Sequence, residues 1–441
     1  MRPFHDGRIA QRRGGGWQAP GIVVGHQAVL IAPEVPWPPR CGNALRDLQQ
    51  IHVLEQIGYR PHVVALGRRW DLSAAEEDAA VAGSGCAVTY VAADRLGPRE
   101  SILGKTFRKV GYLVGPPRHP FAWWVPAGQV VEAIRGVRAD GRIAAVILRS
   151  IFVHEIPAIQ RMVTAPLVVD CHDADSHLAR ELLSTVRGLR RVGPWANLVG
   201  VRRAMARFLP LATEVWAVSG EDMARLCAEV PLARIVVVPS GMDGRRAATV
   251  GTPGEDGLAV LVANFGYAPN ARGAEWLLRE VWPRVRTRVP SALLGVVGGR
   301  LPVALEALAR ETPGVRIHGL VADLDPLYAR AGVVLAPVLE GGGTRLKIVD
   351  AWSHGKAAVA TSKAVEGLPL AEGIAAVADD AERFATRTAD LLTNTTRRRA
   401  MGEAALQHFR ETLSWDTAVD AVSTRSVLAR PARPHSLQGS S

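Results

Sequence analysis

Residues 336–368 read APVLEGGGTRLKIVDAWSHGKAAVATSKAVEGL. An apolar run, VVLAPV at 333–338, leads into three glycines, Gly341, Gly342 and Gly343, and a helical pattern opens at Thr344. After Gly355 a second apolar run, AAVATS at 357–362, follows. Strand, helix and strand in that succession imply parallel strands joined by a crossover helix. Glycines let the backbone approach a ligand closely, and the free N–H groups of a helix start suit a pyrophosphate. Helical spacing puts Thr344, Lys347 and Asp350 on one stripe, so a hydroxyl and a cation would face the phosphates and a carboxylate one turn on would reach ribose hydroxyls. Arg345 is offset from Lys347 by about 200° on an ideal helix and reaches the same phosphate only if it still lies in the loop. Spacing alone also admits a Gly-rich turn capping an ordinary amphipathic helix with a solvated basic face.

The same alternation extends both ways along the chain. QAVLIAP at 27–33 reads as a first strand, ALRDLQQIHVLEQIG at 44–58 as a helix ended by Gly58, and HVVALG at 62–67 as a second strand. GYLVG, IAAVILRS, PLVVDCHD, EVWAVS and RIVVVPSG supply further strands before residue 245, and GLAVLVANFG, ALLGVVGG, VRIHG and GVVLAPV supply more beyond it. The pattern predicts an α/β protein with two doubly wound, Rossmann-like domains, at 27–245 and 246–426, flanked by flexible ends at 1–26 and 427–441. In such folds ligands sit beyond the carboxyl ends of the strands, here in the cleft between the domains.

Composition narrows the class. The chain has 441 residues, 48% hydrophobic and 22% charged, enough to bury two cores. Its four cysteines, Cys41, Cys86, Cys171 and Cys227, show no C-x-x-C spacing, which argues against a zinc site or a disulfide framework. No apolar run approaches the length of a membrane span, and MRPFHDGRIAQRRGGGWQAP lacks the apolar core of a secretion signal. The expectation is a cytoplasmic protein. A net charge of +11 favours an anionic neighbour: nucleic acid, an anionic membrane surface or phosphorylated substrates. No nucleic-acid-binding motif accompanies the charge, so no nucleic-acid partner is expected.

The 336–368 segment resembles the donor-binding signature of family-four-type retaining glycosyltransferases, particularly the subgroup whose loop reads G-G-G-T-R-x-K. The match continues through Gly355-Lys356 and Val365-Glu366-Gly367-Leu368, where the family presents backbone N–H groups. PWPPRCGNALRD resembles the family's N-domain Pro/Gly loop, placing Gly42 and Arg46 near donor phosphates or acceptor. VVDCHDADSHLARE resembles the strand-end segment whose histidine, here His172, reaches the transferring sugar. VVVPSGMD resembles the family's V-P-N-G-V-D, VANFGYAPNARGAEWLL its first nucleotide-domain strand and helix, and Trp415 sits where the family has a Trp before its final helix. The family's paired glutamates are altered: aligning Asp350 with the second puts Gly342 at the first, with Glu340 as a substitute. Asn264 stands for the usual Arg after the first C-domain strand, while Arg272-Gly273 resembles the Lys-Gly.

The resemblance implies a GT-B fold whose last helix can cross back to the N-terminal domain, and a nucleoside diphosphate sugar donor with the anomeric configuration retained. Lys347, Arg345, Arg272 and the Gly-rich loop would stabilise the departing diphosphate, and neither cofactor nor metal is required. Asp173-Ala174-Asp175 has DxD spacing, but a helix cap is its favoured use. The acceptor is expected to be a glycan or lipid-linked molecule of the cell envelope, met by Arg46, His119, Trp123, Trp124 and Asp173. His119, Phe121, Trp123 and Trp124 read as acceptor-stacking or as N-domain packing. ANLVGVRRAMARFLPLA, with Arg187, Arg190 and Arg191 before it, reads as a helix resting on anionic lipid at the inner membrane face, or as a core helix with a solvated basic side. A sugar-nucleotide epimerase and a non-catalytic module of this architecture are the alternatives.

Overall fold

The structure is a computed structural model that describes residues 11–12, 26–39, 42–69, 72–91, 111–120, 129–139, 142–172, 175–184, 186–230, 234–244, 255, 257–321, 323–341 and 346–429. Two sheets organise it. The first contains β1 (Gln11–Arg12), β2 (His26–Ala32), β3 (Tyr59–Ala65), β4 (Ala87–Tyr90), β5 (Ile143–Arg149), β6 (Leu167–Cys171), β7 (Glu214–Ala217) and β8 (Ile235–Val237). Their order is β1-β4-β3-β2-β5-β6-β7-β8. The second contains β9 (Leu258–Val262), β10 (Leu293–Val297), β11 (Val315–Gly319), β12 (Val333–Ala336), β13 (Ala357–Ala360) and β14 (Ala376–Val377), ordered β11-β10-β9-β12-β13-β14. Every pairing is parallel except the two-residue β1 against β4.

Parallel strands covered on both faces need apolar side chains on both, which is why these segments are near-continuous Val, Ile, Leu and Ala. On β2, Val29 and Ile31 enter one core while Ala28, Leu30 and Ala32 enter the other. The second sheet repeats this, with Ala259 and Leu261 of β9 on one side and Val260 on the other. In both sheets the strand order reverses at one place, between β2 and β5 and between β9 and β12. A crevice forms beyond the carboxyl ends of strands at such a switch point.

Eight helices frame the cleft and the crossings between the sheets: α1 (Gly42–Gln56), α2 (Asp175–Ser184), α3 (Val192–Phe208), α4 (Gly220–Glu229), α5 (Ala268–Trp276), α6 (Leu346–Ser353), α7 (Thr395–Thr412) and α8 (Trp415–Arg425). Residue 244 is the last described before residue 255, and this crossing is tied to a second one near residue 414. Met242 N–H donates to the Leu413 carbonyl at 3.1 Å, Trp415 N–H to the Met242 carbonyl at 3.1 Å, and Trp415 Nε1 to the Gly241 carbonyl at 3.2 Å. After it α8 packs on the N-terminal domain, where Ala418 and Val422 join the same core as Leu30.

Several expectations need correction. Residues 111–114, read as the strand GYLVG, are helical, and Gly115 N–H donates to the Gly111 carbonyl at 2.8 Å. Gln11–Arg12, in the end read as flexible, pairs with β4, whose four residues were not read as a strand. Residues 427 and 428, at the start of the tail read as flexible, are docked: Leu428 is fully buried, and Val427 N–H donates to Glu214 Oε2 at 3.0 Å. Of the two readings of α3, a helix on anionic lipid or a core helix with a solvated basic side, the burial of Leu198, Val201 and Met205 fits the core helix. No helix among the described residues is long and apolar enough to cross a membrane.

Candidate active site

The two switch points meet across a cleft. A Cβ added to Gly42, at the start of α1, would lie 3.1 Å from Leu346 Cδ1 at the start of α6. Leu45, one turn along α1, and Leu346 both pack against the apolar cluster that holds Ile348 and Trp352. The N-domain Pro/Gly loop and the Gly-rich loop thus end in helices that touch.

On the N-terminal side the site is a set of buried charges. Asp170, fully buried at the end of β6, accepts two bonds from Arg46 of α1, from Nε at 3.0 Å and Nη2 at 2.7 Å. Gln50 Nε2 also donates to Asp170. Burial alone would raise the Asp170 carboxyl, but the Arg46 guanidinium and His172 outweigh it and hold it well below the ordinary carboxylate range. His172, just past β6, has Nε2 2.9 Å from Asp170 Oδ2 and 3.8 Å from Asp47 Oδ1, while Nδ1 is 3.3 Å from Asn43 Oδ1. Asp47 in turn pairs with Arg149 at the end of β5.

Arg46, expected to meet an acceptor, is therefore occupied internally: its Nη1 also donates to Gln49 Oε1 and to the Pro239 carbonyl, each at 3.0 Å. His119, likewise expected at the acceptor, is fully buried with Nε2 3.5 Å from Asp175 Oδ2. Its burial fits N-domain packing. Trp123, Trp124 and Asp173 lie outside the described residues.

On the C-terminal side, Lys347 of α6 donates from Nζ to Asn270 Oδ1 at 2.7 Å, and Asn270 Nδ2 donates to the Asn264 carbonyl at 2.9 Å. The Asn264 side chain accepts from Gly266 N–H at 3.0 Å, so it shapes the loop after β9. Arg272 pairs with Glu340 across the loop after β12. Gly273 permits this approach, because a Cβ there would lie 2.0 Å from the Pro337 carbonyl oxygen. Gly341 has φ +100° and Gly367 φ +77°, conformations that favour glycine. Asp350 is half-buried beside His354, whose Nδ1 is 3.6 Å away, and it helps burial raise the Tyr328 phenol. Gly342, Gly343, Thr344 and Arg345 lie outside the described residues.

Glu366, Gly367 and Leu368 follow the short helix after β13, with Leu368 buried in the C-domain core. Glu366 is 3.4 Å from Arg225 Nη2 of α4 and 2.5 Å from Lys363 Nζ, which also pairs with Glu181 of α2. Those ion pairs tie the Glu366 loop to the N-terminal domain. Among the described residues, no group of three or more His, Cys, Asp or Glu side chains is placed to hold a metal.

Sequence reasoning did not name Asp170, Asp47, Asn43, Arg149, Asn270, Lys363, Glu181 or Arg225. One signal was available: residues two apart on a strand share a face, so VVDCHD already put Asp170 on the side of His172.

Comparison with known proteins bears on this geometry. Residues 257–394 match the family described as Glycosyl transferases group 1. No curated protein matches the chain. Among solved structures, the chain is similar to Anabaena HepE in complex with UDP-glucose, with TM-score 0.60 and 14% identity over 90% of this chain and 98% of that one. It is similar to WaaG, a glycosyltransferase involved in lipopolysaccharide biosynthesis, with TM-score 0.59, 13% identity and coverage of 90% and 98%. A glycosyltransferase from Rickettsia africae gives TM-score 0.59 and 12% identity, with coverage of 90% and 97%. Two parallel-sheet domains facing across a cleft give this chain the GT-B fold, and residues 257–394 in the second carry a domain of the family described as Glycosyl transferases group 1.

Proposed function

We propose that the chain transfers a sugar from a nucleoside diphosphate sugar, with retention of anomeric configuration, to a glycan or lipid-linked acceptor of the cell envelope. The observation that carries this is the placement of Lys347, Arg272 and the positive-φ Gly341 around the C-domain switch point, while in the N-terminal domain His172, just past β6, lies against Asn43 and Asp47 of the helix that follows β2. Departure of the diphosphate concentrates negative charge on the leaving oxygen, so fixed cations there lower the barrier most. Lys347 supplies one such cation, and Arg272 a second when Glu340 gives way to phosphate. His172 faces the transferring sugar, and Asp350 the ribose. Gly342, Gly343, Thr344 and Arg345 complete the phosphate cradle in this reading, and Glu366, Gly367 and Leu368 line its far side. That Anabaena HepE was solved with UDP and with UDP-glucose supports a donor of this class.

Residues 182–213 contain six arginines and no acid, and the hairpin between α2 and α3 exposes Arg187, Arg190 and Arg191 beside Val192 and Trp195, which are 59% and 47% exposed. Basic side chains with exposed apolar ones suit an anionic membrane surface, where a lipid-linked acceptor would be presented. Sedimentation with phosphatidylglycerol vesicles should be lost on reversing the three arginines to Glu and kept by the native chain; equal sedimentation of both removes the membrane from this reading. Turnover is tested by release of nucleoside diphosphate from UDP-, GDP-, ADP- and TDP-glucose. One donor should turn over, with Lys347→Ala slowing it by about 100-fold or more; a Lys347→Ala variant as fast as the native chain would contradict the assignment.

A further inference from the structure

We infer that Asp170 is a positioning residue, which holds the His172 imidazole with its Nε2 hydrogen turned into the N-terminal domain and its Nδ1 edge turned to the cleft. This deepens the reading of His172 as the group that meets the donor sugar, and rests on it. Nε2 is buried 2.9 Å from Asp170 Oδ2, a close ion-pair contact rather than an aligned hydrogen bond, whereas Nδ1 lies on the exposed side, 3.3 Å from Asn43 Oδ1. An ionised carboxylate only accepts, so the nitrogen facing it carries a hydrogen whatever the charge of the ring.

The surroundings keep Asp170 ionised. From α1 it faces Arg46 and Gln50, and from just past its own strand His172. Beyond the imidazole, Asp47 of α1 is paired with Arg149 of β5, so its charge is already met. Arg46 does a second thing: it shares the Pro239 carbonyl with Gln49 Nε2, which donates to it at 2.9 Å, and Gln49 Oε1 accepts from Gly241 N–H at 3.4 Å. The carboxylate that orients His172 is thus anchored to the segment leading out of the N-terminal domain. A ring free to flip would offer the cleft either nitrogen, and an imidazole fixed by a carboxylate offers one.

The test uses the full chain and compares Asp170→Asn, the paired Asp170→Asn with Arg46→Gln, and His172→Ala. The paired variant leaves no unmatched buried charge, so it keeps the fold if the single one does not. The first readout needs no ligand: in 15N-histidine-labelled protein, the His172 ring signals, assigned by their loss in His172→Ala, should show a hydrogen on Nε2 and should shift in both Asp170 variants. The second is release of UDP from UDP-glucose, where kcat should fall about tenfold or more with KM within about twofold, the pattern of a lost transition-state interaction. An unchanged ring spectrum, or a folded paired variant with native kcat, overturns the inference. If His172→Ala turns over UDP-glucose normally, the reading of His172 fails instead; if the native chain releases no UDP, the ring spectrum alone decides.

Discussion

His154 stands just past β5 with its side chain about nine-tenths buried, and Glu155 Oε1 is 3.6 Å from its Nε2. Burial first, then the charges of Arg118 and His119, push the imidazole down to about 3. The ordinary value near 6.5 applies in the unfolded chain, so between about pH 6.5 and 3 the unfolded state holds a proton that the folded state refuses. Stability therefore falls as the pH falls through that window, by up to about 1.4 kcal/mol per pH unit from this group. Urea unfolding of the native chain and His154→Gln from pH 7 to 4 should show a shallower acid loss in the variant; parallel curves would contradict the assignment. At this scale the candidate site was half legible. Lys347, Arg272 and His172 were marked by local motifs, because each sits within a few residues of a strand end or a Gly-rich turn. The Arg46–Asp170 pair joins positions 124 apart in sequence, and no local spacing shows whether an arginine one turn into a helix points to the cleft or into the domain.

The elements carry two further tests. α5 lies against the segment leaving β12 because Gly273 has no side chain. Gly273→Ala should drive the backbone at Pro337 outward, costing about 1–3 kcal/mol in thermal unfolding and weakening donor binding, since Pro337 leads into the Gly-rich loop. Native stability in that variant would show that the close approach does not matter. The second concerns the docked residues 427 and 428. Glu214, fully buried on β7, accepts from Val427 N–H, Ser426 Oγ and Trp216 Nε1, and Leu428 beyond it fills the core beneath α8. Leu428→Ala should cost about 2–5 kcal/mol in urea unfolding, as for any buried leucine. A cost near zero would restore the sequence reading of a loose end there. Long apolar strands such as β2, β5 and β12 were legible because parallel pairing demands continuous apolar runs. β4 and β14, four and two residues long, are too short to show a period, and one buried leucine in a polar tail is no pattern at all.

At the scale of the whole molecule, two sheets of the same construction meet with their switch points facing, and the chain passes between them at Met242 and again at Trp415. The two-domain reading followed from chain length and strand alternation. How the domains sit was not legible, because it depends on contacts far apart in sequence: Gly42 on Leu346, Lys363 to Glu181, and Arg225 to Glu366. Donor bound at the C-domain loop would touch both sides and add its binding energy to the folded state. The most direct measurement is the melting temperature of the full chain and of Lys347→Ala with UDP-, GDP-, ADP- and TDP-sugars, since a ligand at 100 times its dissociation constant stabilises by about 2.7 kcal/mol. The expected result is a rise with one nucleotide class that is lost in Lys347→Ala; a melting temperature unmoved by every donor, or moved equally in both proteins, would contradict a nucleotide-sugar site at Lys347.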